Sequence, residues 1–304
     1  MIHIQNYING GFTDPIKNEW LDNICPADGL VYGKLPNSCT KDVQIAYEAA
    51  HDAYLSWSET SIEKRSAILL KIASLIEANL ERFAVAESKD NGKPISVARS
   101  IDIPRAASNF RFFSQAITQF YSESHEVRSQ KTINYTLRHP LGVVGCISPW
   151  NLPLYLLTWK IAPAIATGNC VVAKPSEVTP YTAFLLGEIC NEAGLPKGVL
   201  NIVHGLGSTT GQAIVGHPNI KAISFTGGTE TGKLIAKTAA PFFKKLSLEL
   251  GGKNPNIIFA DCDYNKMLST SVKSSFSNQG QICLCGSRLF VEASIYEKFK
   301  VDFI

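Results

Sequence analysis

The apolar positions change their period twice along the chain. From Thr40 to Trp57 a stripe formed by Val43, Ala46, Ala49, Ala50 and Ala53 repeats every three to four residues, the spacing of an amphipathic helix. A second helix is expected from near Ser61, where Ser-Ile-Glu-Lys resembles an N-cap followed by an early acid, with Ile68, Leu69, Ile72, Leu75 and Ile76 on its apolar face. Further helices are expected over about 81–91, ending at Asn91-Gly92, and over about 93–121. Residues 1–40 are short strand-like pieces between turns, and the polar residues 122–131 read as a loop. Ile133, Tyr135 and Leu137 then alternate with polar neighbours, as in an edge strand or hairpin arm. Beyond residue 140 strands and helices alternate. NCVVAKPS, VLNIVHG, KAISFTGG, KLSLELGG, NPNIIF and RLFVE read as strands, and Tyr181–Ala193, the stretch from Thr210, Gly228–Ala239 and Lys266–Ser277 as helices. That rhythm predicts a parallel sheet and an α/β fold. The last residues, SIYEKFKVDFI, read as a helix in which Phe299, Val301 and Phe303 have no obvious partner.

Composition narrows the function. With 304 residues, 45% hydrophobic and 18% charged, the chain suits one large globular domain or two ordinary ones. A formal net charge of only +3 gives no case for nucleic acid or an acidic membrane as partner. The apolar stretch from Leu141 to Ala166 is interrupted by Pro149, Pro153 and Pro163 and holds Asn151 and Lys160, so no membrane helix is expected there. No signal segment is apparent, and eight cysteines without a CxxC pair suggest neither zinc, nor any other metal, nor a disulfide framework. The expectation is a reduced, cytoplasmic protein.

Several short motifs carry chemistry. Gly205-Leu-Gly207-Ser-Thr-Thr-Gly211 follows a strand and precedes a helix, which suits a backbone approached by phosphate or equally a plain connecting turn. Phe225-Thr-Gly227-Gly228-Thr-Glu-Thr-Gly232-Lys233 nearly spells a phosphate loop, but Leu234 stands where a Mg²⁺-binding hydroxyl belongs, which excludes a triphosphatase. Two such turns in successive strand–helix units favour a dinucleotide over either one alone. Lys174 and Glu177 past CVVA would serve ribose hydroxyls, the carboxylate repelling a 2′-phosphate, or form an ordinary surface pair. Cys283, in Gly280-Gln-Ile-Cys283-Leu-Cys285-Gly, is a nucleophile candidate if nearby backbone N–H groups favour its thiolate, and otherwise a buried structural cysteine. Cys285 lies two residues on and would point the same way from an extended segment. Glu249 ends an apolar strand, where an acid is costly unless used, as a general base for example. Asn151, after Ser-Pro-Trp150, would donate its amide to a developing oxyanion.

Taken in order, PWNLP, KPSE, FTGGTETG, LELGGKNP and NQGQICL resemble the aldehyde dehydrogenase superfamily, with 34 residues between Glu249 and Cys283 and the likeness running from residue 1 to 304. The resemblance implies that Cys283 is the nucleophile and Glu249 the general base, with Asn151 and the Cys283 N–H forming the oxyanion hole. It also implies that Ile147, Trp150, Lys174, Glu177, Gly207, Gly227 and Gly228 line an NAD site, Gly228 departing from the commoner Ser. The implied reaction is thiolate addition to an aldehyde, hydride transfer to nicotinamide, and hydrolysis of the resulting thioester. The implied fold is a Rossmann-like NAD-binding sheet with N-terminal helices over 1–121 and a core over 141–251. It adds an oligomerisation hairpin over 122–140 and the beginning of a second α/β catalytic domain over 252–304. AESKDNGKP, DIPRAASNFRFF and ICLCGSR look like the 2-aminomuconic or 2-hydroxymuconic semialdehyde branch, which belongs to tryptophan catabolism by the kynurenine route. In that branch Arg105, with Arg111 as the competing candidate, would hold a substrate carboxylate.

Aldehyde dehydrogenase chains continue well past the position of residue 304, so the resemblance implies a C-terminally truncated sequence. A later glutamate motif, the second half of the catalytic layer and the strand that pairs with a neighbouring subunit would all be missing, which puts the family's homo-oligomer in doubt for this chain. The alternatives are a non-catalytic fragment that binds NAD or modulates full-length subunits, and a CoA-acylating dehydrogenase, against which the water-activating Glu249 argues.

Overall fold

The structure, a computed structural model, describes residues 1–304. Its main sheet has seven strands in the order Lys245–Leu250, Ala222–Gly227, Val143–Ile147, Cys170–Lys174, Leu200–Ile202, Asn6–Ile8, Gly11–Thr13. The first five run parallel, and the last two add an antiparallel hairpin at the far edge. In chain order the parallel strands spread outward from Val143–Ile147, first to one side and then to the other. A doubly wound sheet binds ligands at that reversal, beyond the carboxyl ends of its strands. Every residue of Val143–Ile147 and Cys170–Lys174 is buried, as expected of parallel strands covered on both faces.

The N-terminal helices supply part of that cover. Trp57, at the end of Thr40–Ser58, donates its indole N–H to the Ile165 carbonyl (3.1 Å), and Arg65 Nε donates to the Ala166 carbonyl (2.9 Å). Both therefore satisfy the C-terminal carbonyls of the Pro153–Ala166 helix. The helix expected from Ser61 spans Ile62–Ala78, and Ser61 Oγ accepts from the Lys64 N–H (3.3 Å). Leu80–Asn91 ends at Gly92, whose φ of 77° is the left-handed cap.

Three expectations need correction. The helix read over 93–121 is a series of pieces: Ile95–Val97, a π-turn at Ala98–Asp102, Ile103–Ala116 and a short 3₁₀ turn, Ile117–Gln119. Pro104 explains the break, because it has no N–H for the turn before it. Residues 122–131 are not a plain loop. Ser124–Val127 pairs antiparallel with Thr132–Tyr135, with Lys131 left-handed at the turn. Both faces of this hairpin are solvated, so its first strand shows no apolar alternation to read. Lastly, Phe299 is buried, stacking on Phe303 at 5.0 Å, and Phe303 lies 6.1 Å from Phe276, whereas Val301 is 73% exposed.

That last helix belongs to a small unit in which Pro255–Ile258 and Arg288–Val291 pair in parallel across the Tyr264–Phe276 helix. No helix of the chain is long and apolar enough to cross a membrane.

Candidate active site

Cys283 lies in a turn between the short Ser277–Gly280 helix and the Arg288–Val291 strand, and it is half-buried. Asn278, Gln279 and Gly280 are all left-handed, at φ of 51°, 58° and 72°. Two consecutive non-glycine residues in that region cost on the order of 1 kcal/mol each, so the surroundings must hold them there. Asn278 Nδ2 donates to the Asn151 carbonyl (2.9 Å), and Asn254 Nδ2 donates to the Cys283 carbonyl (2.6 Å). Cys285, unlike the half-buried Cys283, is shielded from solvent. Its Sγ lies 3.9 Å from the Ser277 carbonyl, and no group of three or more His, Cys, Asp or Glu side chains is arranged to hold a metal.

Asn151 stands just past the Val143–Ile147 strand and reaches this turn directly, its Nδ2 donating to the Gln281 carbonyl at 2.7 Å. An amide nitrogen carries two protons, so one hydrogen bond fixes the side chain and the second proton stays available. Glu249 is opposite Thr226 in the sheet register, at the carboxyl end of the edge strand. It is exposed, and no hydrogen bond ties it to Cys283 or Asn151. The burial argued for it from its apolar run is therefore absent, because Lys245–Leu250 has a neighbouring strand on one side only.

The sequence reading missed Lys160, which figured there only as a charge interrupting an apolar stretch. It is buried, and its Nζ donates to Thr226 Oγ1 (2.6 Å) beside Glu249. Burial pulls its pKa below the ordinary lysine range, against the opposing pull of Cys146 and Glu249. Lys160, Glu249, Trp159 and Phe113 line a cleft of about 470 Å³.

The glycines and ionic groups gather along four adjacent strand ends. Ile147 is buried, Trp150 is 43% exposed, and Gly227-Gly228 lies beside them at the reversal of strand order. A Cβ on Gly227 would come within 2.4 Å of Phe225 Cζ, so this glycine is needed for packing; at Gly207 and Gly228 a Cβ would meet nothing within 4 Å. Lys174 Nζ donates to Glu177 Oε2 (2.9 Å) and to the Pro175 carbonyl (2.9 Å), and the Gly207 N–H donates to Glu177 Oε1 at 3.5 Å. Burial lowers the Lys174 pKa, with Glu177 opposing the shift. Burial pushes the Glu177 carboxyl up, but the Lys174 ammonium and the hydrogen bonds outweigh it, and Glu177 titrates below the ordinary range.

Arg105 is exposed and forms no ion pair within 4.0 Å; its guanidinium lies over the Tyr155 ring, 4.8 Å from the centroid. Arg111, the competing candidate, is taken up by Glu77 at 2.6 Å.

Residues 12–304 match the family model described as the aldehyde dehydrogenase family. The chain belongs to that family. It is 54% identical over 301 residues to the 2-aminomuconic semialdehyde dehydrogenase of Danio rerio, covering 99% of this chain and 61% of that protein. It is 44% identical to the 2-hydroxymuconic semialdehyde dehydrogenase of Pseudomonas sp. (strain CF600), covering 98% and 63%. Among solved structures, an indole-3-acetaldehyde dehydrogenase complexed with NAD⁺ matches at a TM-score of 0.97 and 38% identity, over 100% of this chain and 62% of that one. PnpE in complex with nicotinamide adenine dinucleotide matches at 0.96 and 39%, over 99% and 62%. The chain thus spans about three fifths of the length of these relatives.

Proposed function

We propose that this chain takes part in the NAD-dependent oxidation of an aldehyde to its acid, the substrate being a semialdehyde that bears a carboxylate. The observation that carries this reading is the Asn151 Nδ2 bond to the Gln281 carbonyl, which ties the candidate oxyanion donor to the loop of the candidate nucleophile. The strand ends fit NAD. Gly207 and Gly228 leave room for a close approach, Lys174 has a third ammonium proton beyond its two bonds, and Glu177 presents a carboxylate suited to ribose hydroxyls and hostile to a 2′-phosphate. When bound, the nicotinamide supplies the hydride acceptor. The protein's own work is then limited to four roles. The Cys283 thiolate adds to the aldehyde carbon, the free Asn151 N–H stabilises the oxygen as it gains charge, Glu249 takes a proton from the water that releases the acid, and Arg105 holds the distal carboxylate. The relatives named for muconic semialdehydes support this substrate class, as does an exposed guanidinium with no ion pair within 4.0 Å.

We further assign residues 1–121 and 141–251 to a cofactor-binding domain and 252–304 to a catalytic one, with 122–140 as an arm that pairs with another subunit. The exposed Ile133 and Tyr135 on that arm suit such pairing. A reducing cytoplasm suits the eight free cysteines.

The experiment is NADH formation by the purified chain, with a dicarboxylic semialdehyde and with a neutral aldehyde of equal length. Cys283→Ala is expected to lower turnover by about 10³-fold or more. Arg105→Ala is expected to raise KM about tenfold or more for the semialdehyde alone. Undiminished turnover by Cys283→Ala sinks the assignment.

A further inference from the structure

The turn Asn91-Gly92-Lys93 packs against the outside of the site and contacts both of its halves. The Lys93 side chain is fully buried. Its ammonium pairs with Asp102, from the π-turn, and lies 4.0 Å from Glu87 Oε1, on the preceding helix. A buried lysine has to be paired, and this pairing alone would explain its presence. The ammonium also reaches further, donating to the Asn151 carbonyl at 3.3 Å. That carbonyl receives Asn278 Nδ2 at 2.9 Å and Asn91 Nδ2 at 3.5 Å as well, while Asn91 Nδ2 donates to the Trp150 carbonyl at 2.8 Å. Three donors around one carbonyl exceed what hydrogen-bond satisfaction requires, since a carbonyl oxygen has two lone pairs. On the other side, with the Gln279 amide oxygen assigned to face it, the Lys93 N–H donates to Gln279 (3.3 Å) in the left-handed segment before Cys283. Gly92 makes the turn possible: its φ is 77°, and a Cβ there would come within 2.9 Å of Pro26 Cγ.

We propose that Lys93 is a positioning residue. Its ammonium, fixed between Asp102 and Glu87, clamps the Asn151 peptide and so aims the Asn151 amide at the cysteine loop. The proposal rests on the reading of Asn151 as oxyanion donor. The clamp works through geometry: an oxyanion donor displaced by a fraction of an ångström loses much of its effect.

The test uses the whole chain in four forms: wild type, Lys93→Met/Asp102→Leu, Asn151→Ala, and the three substitutions together. Replacing both partners of the ion pair with apolar side chains of similar size leaves no lone charge beside Glu87, which keeps the fold testable. Two quantities are measured. The first is hydrolysis of 4-nitrophenyl acetate, which needs no cofactor: the Cys283 thiolate attacks the acetyl carbon, 4-nitrophenolate leaves, and water cleaves the thioester to acetate. The second is amide hydrogen exchange read peptide by peptide. We expect the Lys93/Asp102 variant to hydrolyse the ester about 10- to 100-fold more slowly. We also expect exchange in 150–154 and 278–283 to be at least about tenfold faster, with 143–147 and 170–174 unchanged. In the Asn151→Ala background the Lys93/Asp102 change should cost almost nothing more, because both act through one donor. Multiplicative losses, or unchanged exchange around Asn151, overturn the clamp. Full ester hydrolysis by Asn151→Ala instead overturns the oxyanion reading, leaving the exchange result to judge the clamp alone.

Discussion

The central strands of the parallel sheet and the 255–303 unit carry comparable apolar runs, yet they bury them differently. Val143–Ile147 and Cys170–Lys174 are apolar runs covered on both faces, whereas Pro255–Ile258 and Arg288–Val291, equally apolar in pattern, leave Ile257 60% and Phe290 54% exposed. The Tyr264–Phe276 helix buries only Ser271, while Pro153–Ala166 buries nine of its residues. A strand–helix–strand unit thus forms from local pattern, but the free energy of burial depends on how many layers surround it.

The sharpest way to break the comparison is a pair of truncations. Phe110→Ala removes a ring with no exposure from the main core and is expected to lower the unfolding free energy by about 3–5 kcal/mol. Phe290→Ala should cost under about 1 kcal/mol in the same urea titration. Equal losses would show that the small unit is as well packed as the large one.

A pH series probes the main core through Glu87. Burial pushes its carboxyl up to about 8, against the pull of Lys93, with Asp102 and Asp90 adding to the rise. The native state therefore holds a proton that the unfolded chain releases near 4.5, and this group's contribution to stability falls as pH rises from about 4.5 to about 8. Glu87→Gln should flatten that slope and be more stable than wild type above pH 8 by about 2–4 kcal/mol, as read from melting curves at pH 6 and pH 8.5. A variant with the wild-type slope would mean that Glu87 is ionised in the native protein.

Helix caps give the smallest contrast. Ser61 Oγ accepts from the Lys64 N–H, and Asp263 Oδ1 from the Lys266 N–H at 3.2 Å. Replacing either with Ala should cost about 1 kcal/mol. Hydrogen exchange should show the Ser61 loss spread over the main core and the Asp263 loss confined to 264–276. A global effect from Asp263→Ala would mean that the two regions unfold as one.

Most of the candidate site residues were named from residue order. Gly205 and Gly207 after a strand, the Lys174–Glu177 spacing and the Cys283 motif each had an ordinary structural reading beside the chemical one, and only the ordered set of motifs, through the family resemblance, favoured chemistry. What could not be read was whatever depends on contacts distant in sequence. Lys93 and Asn91 meet Asn151 across about sixty residues, and Asn254 meets Cys283 across 29. Glu249 misled for the converse reason, since its apolar neighbours predicted burial but its strand lies at a sheet edge. The Ser124–Val127 strand was hidden because both of its faces meet water.

The sequence alone determined most of the helices and strands of the main sheet and its cover, since those follow from periodicity, caps and turns within a few residues. It also determined which reactive groups the chain owns. The tertiary structure decided which of those groups are buried, which ammonium and amide protons remain free, and that Asn151 faces the loop of Cys283. Those outcomes depend on desolvation and on hydrogen bonds between segments that meet only when the sheet closes.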